Sequence, residues 1–397
     1  MPERTKVCVV IASRANYARI KSVLAAIRQR DDLELQLVAA ASTLLERFGT
    51  ALHVMRQDGF EPDATVRLII EGENPATMAK STGLGLLELP TIFEMLEPDL
   101  VVTVADRFET IATAVAAAYM NLPVAHTQGG EISGSIDESV RHAVTKLAHL
   151  HFPATELSAG RVIALGEDPA TVFNVGCPSI DLVAQTDLGT RRQALELFGG
   201  VGSEIDPDEQ FLLVIQHPVT TEYGHGYQQI GETLDAVGAI GMQAVVFWPN
   251  VDAGSEQVAK GIRQFRELGR DRRFHFFRNI SAETFVRLMA HCACMIGNSS
   301  AALREGAYLG TPAVTVGSRQ RGRERGANVV EAEHDAEAIA DAIRDQLRHG
   351  PYERDELFGD GTAGPRIAEV LAGPRPSVQK RLRYGMDTPL RLAEPAR

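Results

Sequence analysis

Six short polar segments could carry chemistry, because each follows an apolar run of the length of a β-strand. Their positions are 13–17, 106–107, 126–131, 216–218, 249–254 and 297–300. In parallel α/β sheets, ligands bind outside the carboxyl ends of the strands. The coincidence of polar segments with predicted strand ends therefore predicts one ligand-binding cleft. Ordinary polar loops are the alternative interpretation.

Three features late in this series suit a phosphate-bearing ligand. Ser299 and Ser300 precede a predicted helix over 301–309, where free backbone N–H groups and hydroxyls can bind phosphate. Glu305 lies one turn further on and could accept hydrogen bonds from both hydroxyls of a ribose. A glycine-rich loop then carries cations that suit a diphosphate: Arg319, Arg321, Arg323 and Arg325. The respective alternatives are a helix cap, a surface ion pair and a solvated run of charge.

Several titratable residues converge on the same predicted cleft. Asp106 and Arg107 share one strand end, and His217 precedes a proline that holds its backbone extended. A glycine-rich loop adds Glu131 and Asp137 just before the next predicted helix. Carboxylates and a histidine around one ligand indicate acid–base catalysis. For each residue taken singly, a structural hydrogen bond is the alternative.

The elements that must position these residues alternate between short apolar strands and amphipathic helices. That order predicts βαβ units, parallel sheets and the α/β class. Two such series predict two doubly wound, Rossmann-like domains that face a cleft, at residues 1–185 and 186–373. The join is expected near 181–189, and the last helix could return to the first domain. Residues 374–397 hold four prolines and six basic residues, which predicts an extended, partly disordered arm.

Composition narrows the classes of partner. The 397-residue chain has a formal charge of −12, which argues against nucleic acid but not against a small anion bound by placed arginines. No apolar run approaches the roughly 18–20 residues of a membrane span, and the N-terminus lacks signal-peptide features. A cytoplasmic setting is therefore expected, with buried free thiols at Cys8, Cys177, Cys292 and Cys294. Without a recognised metal or dinucleotide motif, no metal and no cofactor are expected.

Five longer motifs match one known family. They read HTQGGEISGSIDESVRHAVTKLAHLHF (126–152), QHPVTTE (216–222), PNVDAGS (249–255), MIGNSSAALREGAYLGTP (295–312) and GSRQRGRERGANV (317–329). From about residue 6 to residue 371 the chain resembles the UDP-GlcNAc 2-epimerases. The resemblance is greatest to the hydrolysing type and to the epimerase half of the bifunctional UDP-GlcNAc 2-epimerase/ManNAc kinase.

This resemblance implies a fold and a set of site residues. The fold is the two-domain glycosyltransferase B fold, with UDP bound mainly by the C-terminal domain. The residues implied at the nucleotide are Arg14, Arg107, His217, Asn250, Ser299, Ser300, Glu305 and Arg319. Those implied at the sugar are His126, Gln128 and Arg141, and those implied in catalysis are Asp106, Glu131, Asp137 and His217.

Three positions depart from the family pattern. Asn16 stands where an aspartate is expected, Ala105 where a glycine is expected, and Gln128 where a glutamate or histidine is expected. A glutamine cannot transfer a proton as those residues can. Either Gln128 only hydrogen-bonds the sugar, or a neighbour such as Glu131 or His217 carries the proton.

The family's reaction is an elimination, because the C2 hydrogen of GlcNAc is not adjacent to a carbonyl. A base takes the C2 proton while UDP leaves C1, which gives a 2-acetamidoglucal. Protonation of C2 from the opposite face and addition of water then yield ManNAc and UDP. The hypothesis is that Asp106 is the base and that Glu131, Asp137 or His217 is the acid or orients the water.

Several alternatives remain open from the sequence. A non-hydrolysing epimerase would add UDP back, and a glycosyltransferase would need an acceptor cleft. A catalytically inactive nucleotide-sugar sensor would bind without turnover. The substrate could be UDP-GlcNAc, a 2,4-diacetamido relative or a GDP-linked sugar. The family also implies a homodimer or homotetramer.

Overall fold

The computed structural model describes residues 4–46, 51–196, 199–278 and 280–383. Its first sheet contains these strands: β1 (Thr5–Ile11), β2 (Leu33–Ala40), β3 (Ala64–Val66), β4 (Leu100–Val104), β5 (Val124–Thr127) and β6 (Leu150–Phe152). The six strands are parallel in the order β3-β2-β1-β4-β5-β6. All five residues of β4 are buried, as expected of a parallel strand covered by helices on both faces.

Helices cover both faces of this sheet. They are α1 (Arg14–Arg28), α2 (Ala51–Gln57), α3 (Pro75–Leu96), α4 (Thr110–Tyr119), α5 (Asp137–Leu147) and α6 (Glu156–Ala164). Helix α1 starts directly after β1 because the Ser13 side chain accepts a hydrogen bond from the backbone N–H of Asn16, at 3.1 Å. This short connection places the first turn of α1 at the carboxyl edge of the sheet.

The second sheet has seven strands. They are β7 (Val201–Gly202), β8 (Phe211–Ile215), β9 (Gln243–Phe247), β10 (Phe274–Phe277), β11 (Cys294–Gly297), β12 (Ala313–Val316) and β13 (Val329–Ala332). Their order is β13-β12-β11-β8-β9-β10-β7, and only the short edge strand β7 is antiparallel to its neighbour. The sheet's carboxyl edge therefore collects the loops after β8, β9 and β11, as the sequence predicts.

The helices of the second half are α7 (Pro178–Gln185), α8 (Arg191–Ala194), α9 (Gly226–Ile240), α10 (Ser255–Glu267), α11 (Ala282–His291), α12 (Glu305–Leu309), α13 (Ala336–His349) and α14 (Ala363–Leu371). Helix α14 packs against α1, so that Ile367 and Leu371 share a core with Ile20 and Leu24 of the first half. The domain limits at residues 185 and 373 remain a prediction.

One local expectation is wrong. The helix predicted over 301–309 begins as a 3₁₀ turn at Ser300–Ala302, and regular α-helix starts only at Glu305. The predicted join near 181–189 overlaps the end of α7, which starts at a proline that suits the first helical position, and the join stays a prediction.

The first ten residues of the predicted extended, partly disordered arm, 374–383, form no helix or strand and contact the first half. Arg375 pairs with Asp99 at 2.8 Å, and Arg383 pairs with Asp168 at 2.6 Å. Between them, Lys380 pairs with Glu167 at 2.7 Å and donates to the last carbonyls of α5, including that of Lys146 at 2.9 Å. Residues 384–397 of the arm lie outside the described residues.

In the part of the chain that the structure describes, no helix combines the length and the apolar character that crossing a membrane requires.

Candidate functional site

A cleft of about 1000 Å³ opens between the carboxyl edges of the two sheets. Most of the residues that the sequence nominates line it: Arg14, Asp106, Arg107, Asp137, His217, Asn250, Ser299, Ser300, Glu305 and Arg319. They come from the segments after β1, β4, β8, β9, β11 and β12 and from the starts of α5 and α12. Residues far apart in sequence are thus brought to one cavity by the parallel strands.

The second-sheet side presents hydroxyls and an unpaired carboxylate. Ser300 Oγ accepts from Arg19 Nη2 at 2.8 Å and from Arg304 Nη1 at 3.2 Å. One oxygen of Glu305, Oε2, is buried without a hydrogen-bond partner. An unsatisfied buried carboxylate oxygen is costly unless a ligand supplies donors. This combination suits a phosphate beside Ser300 and a hydroxylated group, such as a ribose, beside Glu305.

Arginines from both sides bring positive charge to the cleft. Arg319 Nη1 donates to the carbonyl of Asn298 at 3.0 Å, and Arg14 Nη1 donates to the carbonyl of Ile280 at 3.4 Å. Burial lowers the pKa of Arg14 to about 10, so it stays cationic at neutral pH. These two side chains can neutralise an anionic ligand.

Arg107 is held more tightly than the other cleft arginines. It pairs with Asp252 at 3.0 Å and with Glu109 at 2.8 Å. Burial opposes its charge, but these two carboxylates hold the pKa of Arg107 above its usual range. Asp252 lies in the 249–254 segment of the second half, so the Arg107–Asp252 pair also joins the two sides of the cleft.

Asp106 is ionised and fixed. It accepts from Arg141 Nε at 3.2 Å, and the guanidinium groups of Arg19 and Arg323 lie 3.8 and 3.6 Å from its oxygens. Burial alone would raise its pKa, but the three arginines hold the pKa of Asp106 well below its usual range. A carboxylate in this environment is a strong fixed anion and a weak base.

Asp137 is the opposite case. Burial, together with the neighbouring charges of Asp106 and Asp252, raises the pKa of Asp137 to about 6, although Arg319, at 3.8 Å, and Arg107 oppose the shift. A carboxyl group with such a pKa can both take and return a proton near neutral pH. It is the first residue of α5 and lines the cleft.

His217 is neutral in this setting. Burial and the nearby Arg319 lower the pKa of the imidazole to about 3. Its Nδ1 accepts from the backbone N–H of Asn250 at 3.3 Å, which assigns the ring hydrogen to Nε2. The backbone is fixed by Asn298, whose side-chain oxygen accepts from the His217 N–H at 2.8 Å.

Glu131, nominated as catalytic, does not line this cleft. It is 2% exposed and binds Arg304 Nη2 at 2.5 Å and Arg323 Nε at 2.8 Å. Burial would raise its pKa, but these two arginines lower the pKa of Glu131 to about 2. As it is held here, the carboxylate is an ion-pair hub between the two halves and cannot act as a proton carrier.

Two of the residues nominated at the sugar are also turned away from the cleft. Arg141 is fully buried and holds Asp106, Glu138 and the carbonyl of Glu131. His126 is fully buried, with its Nε2 2.9 Å from the carbonyl of Ala105 and its Nδ1 3.2 Å from Thr145 Oγ1. Burial lowers the pKa of His126 to about 3. Both side chains support the loops that carry Asp106 rather than reach a ligand.

Gln128, the third residue nominated at the sugar, is 1% exposed and adopts a φ of 62°. Its Nε2 donates to Cys177 Sγ at 2.8 Å, and its Oε1 has no hydrogen-bond partner. Ala105 likewise has a φ of 62°, a left-handed conformation that glycine adopts without strain. This explains physically why a glycine is expected at position 105.

The four arginines of the basic loop at 319–325 lie in different surroundings. Arg319 lines the cleft, but Arg323 is buried against Glu131, and Arg321 pairs with Glu333 at the surface, at 2.6 Å. Arg325 forms a similar surface pair with Glu331. The prediction that this loop concentrates its arginines on a diphosphate is therefore wrong for Arg321 and Arg325.

Sequence reasoning missed three residues that the site uses. Arg19 reaches Ser300 and Asp106 from α1, Asp252 anchors Arg107, and Arg304 anchors Glu131. Arg304 and Asp252 lie within the motifs 295–312 and 249–255, so their membership of these motifs could have identified them as candidates. Arg19 has no such signal, because its role follows from the side of α1 that faces the cleft.

The parallel first sheet, the largely parallel second sheet and the cleft between their carboxyl edges define an α/β protein with two Rossmann-like halves. The chain belongs to the UDP-N-acetylglucosamine 2-epimerase family, whose sequence profile matches residues 25–372. This finding confirms the family resemblance predicted from the motifs.

Individual relatives agree with this assignment. The chain is 32% identical over 366 residues to a protein of Legionella pneumophila named UDP-N,N'-diacetylbacillosamine 2-epimerase (hydrolyzing), covering 92% of this chain and 95% of that protein. It is 29% identical over 382 residues to a UDP-N-acetylglucosamine 2-epimerase of Neisseria meningitidis, covering 95% and 98% respectively.

A solved structure supports the fold. The UDP-GlcNAc 2-epimerase of Methanocaldococcus jannaschii, crystallised with UDP-GlcNAc and UDP, superposes with a TM-score of 0.75 at 15% identity, covering 92% of this chain and 99% of that one. The likeness confirms the predicted α/β fold with two Rossmann-like halves of the glycosyltransferase B kind.

Proposed function

We propose that this protein is a hydrolysing 2-epimerase that converts a UDP-linked 2-acetamido sugar to UDP and the free sugar inverted at C2. With UDP-GlcNAc the free product is ManNAc. The observation that carries the proposal is the pairing, across one cleft, of a phosphate-binding edge with two carboxylates of opposite electrostatic character. The Legionella relative, named as hydrolysing, supports the type of reaction.

The nucleotide occupies the second-sheet side in this proposal. The diphosphate lies against Ser299 and Ser300, whose position after β11 leaves backbone N–H groups free for an anion. The unpartnered Oε2 of Glu305 accepts from the ribose hydroxyls. Asn250 and His217 line the junction between nucleotide and sugar, where Arg107 also reaches the cleft.

The sugar then lies between Asp106 and Asp137. Asp137 takes the C2 proton, because a carboxylate with a pKa of about 6 is ionised at neutral pH and still accepts a proton readily. The electron pair of the C–H bond forms the C1–C2 double bond, and the C1–oxygen bond to UDP breaks. This differs from the hypothesis drawn from the sequence, in which Asp106 was the base.

Charge that develops on the leaving diphosphate meets cations already in place. Arg14, Arg19 and Arg319 line the cleft, and each is held by a protein acceptor before the ligand arrives. Preorganised donors of this kind stabilise a transition state without reorganisation at the moment of reaction. Asp106 remains the fixed anion that keeps Arg141 and Arg19 oriented.

The second half of the reaction adds water to the glucal. The O–H bond of the water breaks as its oxygen joins C1, and the proton of that bond goes to C2 on the face opposite the one that lost its hydrogen. His217 is the group proposed to orient this water, because its Nδ1 accepts from the Asn250 N–H and its Nε2–H is free to donate to the water oxygen. Asp137 then releases the proton that it took from C2 to solvent, which regenerates the base.

The test is incubation of the purified protein with UDP-GlcNAc in D2O, followed by NMR and mass spectrometry. Free ManNAc carrying deuterium at C2, together with UDP, is the expected result. Deuterated UDP-ManNAc would instead identify the non-hydrolysing reaction, consistent with relatives named without the hydrolysing qualifier. Turnover only with 2,4-diacetamido or GDP-linked sugars would replace UDP-GlcNAc as the proposed substrate by a sugar of the kind named for other relatives. Binding without any exchange would overturn the epimerase proposal.

The proposal extends to assembly and setting. Leu87 and Met95 of α3 are 72% and 61% exposed, and Tyr119 of the adjacent α4 is 83% exposed. Exposed apolar side chains of this kind suit contact with a second copy of the chain, so we propose a homodimer. We also propose that the protein acts in the cytoplasm and that its free 2-acetamido sugar product enters sialic-acid-like synthesis. Sedimentation of a Leu87→Glu variant as a monomer, against a dimeric wild type, is the expected outcome.

A further inference from the structure

A chain of three buried polar side chains leads from the first sheet to the cleft. Gln128 Nε2 donates to Cys177 Sγ at 2.8 Å, and Cys177 Sγ lies 3.0 Å from Ser179 Oγ. The three residues are 1%, 0% and 2% exposed, respectively. Ser179 also lines the cleft, and it is the member of the chain that can meet a ligand.

The chemistry of these groups gives the chain a direction. The amide nitrogen of Gln128 can only donate, so the sulfur of Cys177 is the acceptor of that bond. The thiol hydrogen is then directed to Ser179 Oγ, because burial raises the pKa of Cys177 and keeps the thiol protonated. With its oxygen occupied as an acceptor, the Ser179 hydroxyl has its own hydrogen available for an acceptor in the cleft.

The surroundings of Ser179 indicate which part of a ligand it meets. It is the second residue of α7, and α7 packs against α1, which carries Arg19, and against α12, which begins at Glu305. Arg19, Ser300 and Glu305 line the same cleft and are the groups assigned to the ribose and diphosphate. The acceptor is therefore an oxygen of the ribose–diphosphate unit, and not of the sugar.

We propose that Ser179 is a nucleotide-binding residue contributed from α7, donating a hydrogen bond to the ribose–diphosphate unit, and that Gln128 and Cys177 are positioning residues that orient its hydroxyl. The inference rests on the proposed nucleotide-sugar function. It also assigns Gln128 a role that requires a neutral amide, because the amide donates to the Cys177 sulfur. A carboxylate at the same position would accept the thiol hydrogen instead and would reverse the direction of that hydrogen bond.

The experiment measures UDP affinity by calorimetry for the full chain, independently of turnover. Ser179→Ala should raise the dissociation constant by about three- to tenfold, the range of one neutral hydrogen bond. Cys177→Ala should raise it by a smaller factor, and Cys177→Ser, which keeps a donor and an acceptor, should stay within about twofold of wild type. Cys8→Ala removes a buried thiol from β1, away from the cleft, and is the matched control.

A double-mutant cycle separates positioning from a general structural effect. If Cys177 acts through Ser179, Cys177→Ala should cause no further loss of UDP affinity in a Ser179→Ala background. Equal losses in both backgrounds would overturn the positioning role, and unchanged affinity of Ser179→Ala would overturn the whole inference while leaving the proposed function intact. Failure of the wild type to bind UDP would overturn the proposed function, and this inference with it.

Discussion

The two sides of the cleft hold their charges in opposite ways. On the first-sheet side, Asp106 is surrounded by Arg141, Arg19 and Arg323, so its charge is paired before any ligand arrives. On the second-sheet side, Glu305 keeps a buried oxygen without a partner. A paired charge provides a fixed field, whereas an unpartnered buried acceptor is available to the donors of a ligand. In the proposed function, the first side therefore carries out the chemistry and the second binds the nucleotide.

Asp137 is an exception to this contrast, because it lies on the first-sheet side but forms only a long ion pair, with Arg319 at 3.8 Å. Asp106, by contrast, has an arginine in direct hydrogen-bonding contact. The same residue type therefore has a raised pKa at one position and a lowered pKa at the other. Two carboxylates with diverging pKa values are the pattern expected where acid–base roles are divided.

The largest expected effect comes from Asp137→Asn. Loss of the base should lower kcat by about 10²–10⁴-fold, while UDP affinity should not fall, because the substitution removes a negative charge 3.8 Å from Arg319 and leaves the groups proposed to bind UDP in place. Steady-state kinetics and calorimetry provide the two measurements. Full turnover by this variant would return the base assignment to Asp106.

The same variant should be more stable than wild type. The folded-state pKa of about 6 lies above the ordinary value of 3.8, so the wild type loses stability as the pH rises from about 4 to about 6, and the full penalty is present above pH 6. An uncharged amide removes that penalty, and the free energy of unfolding at pH 7.5 should rise by about 1–3 kcal/mol. A fall in stability would show that Asp137 is better stabilised as an anion than its surroundings indicate.

Glu131→Ala tests whether the interior pairs are structural. The substitution leaves Arg304 and Arg323 buried without their carboxylate, which should lower the free energy of unfolding by about 3–5 kcal/mol. Denaturant unfolding of the variant is compared with Glu333→Ala, which removes the partner of surface residue Arg321 and should change stability by less than about 1 kcal/mol. Equal effects of the two variants would contradict the distinction between interior and surface pairs.

Glu305→Gln tests the binding side. Replacing the carboxylate should weaken UDP binding by about tenfold or more, as expected for hydrogen bonds to a charged acceptor. The fold should be retained, because the lost charge has no protein partner at Oε2. A matched ligand sharpens the test, since 2′-deoxy-UDP should bind the wild type more weakly than UDP does, and the variant should discriminate less. Equal discrimination by both proteins would place the ribose elsewhere.

The pH dependence should be the mildest effect. Asp137 must be ionised to act as a base, so kcat should fall as the pH drops through about 6, by about tenfold between pH 7 and pH 5. His217 does not account for this inflection, because burial and Arg319 lower its pKa to about 3 and its neutral form is the one proposed to orient the water. The residual activity of Asp137→Asn should lack the inflection, and its persistence would assign it to another group.

Much of this protein follows from its sequence because the signals involved are local. Apolar runs of strand length, each followed by a polar segment, are sufficient to predict parallel sheets and a cleft at their carboxyl edges. The Ser299–Ser300 pair and Glu305 need only their position after β11 to be nominated for a nucleotide. The motifs around them are long enough to identify the family.

The tertiary structure alone decided which nominated residues face the cleft and which carry charge. Glu131 and Arg304 are 173 residues apart, and their ion pair exists only because the two halves meet. Asp106 and Asp137 differ in pKa because buried arginines from distant segments surround one and not the other. Burial and charge pairing are properties of the packed chain, so sequence could nominate the acid–base groups but could not divide their roles.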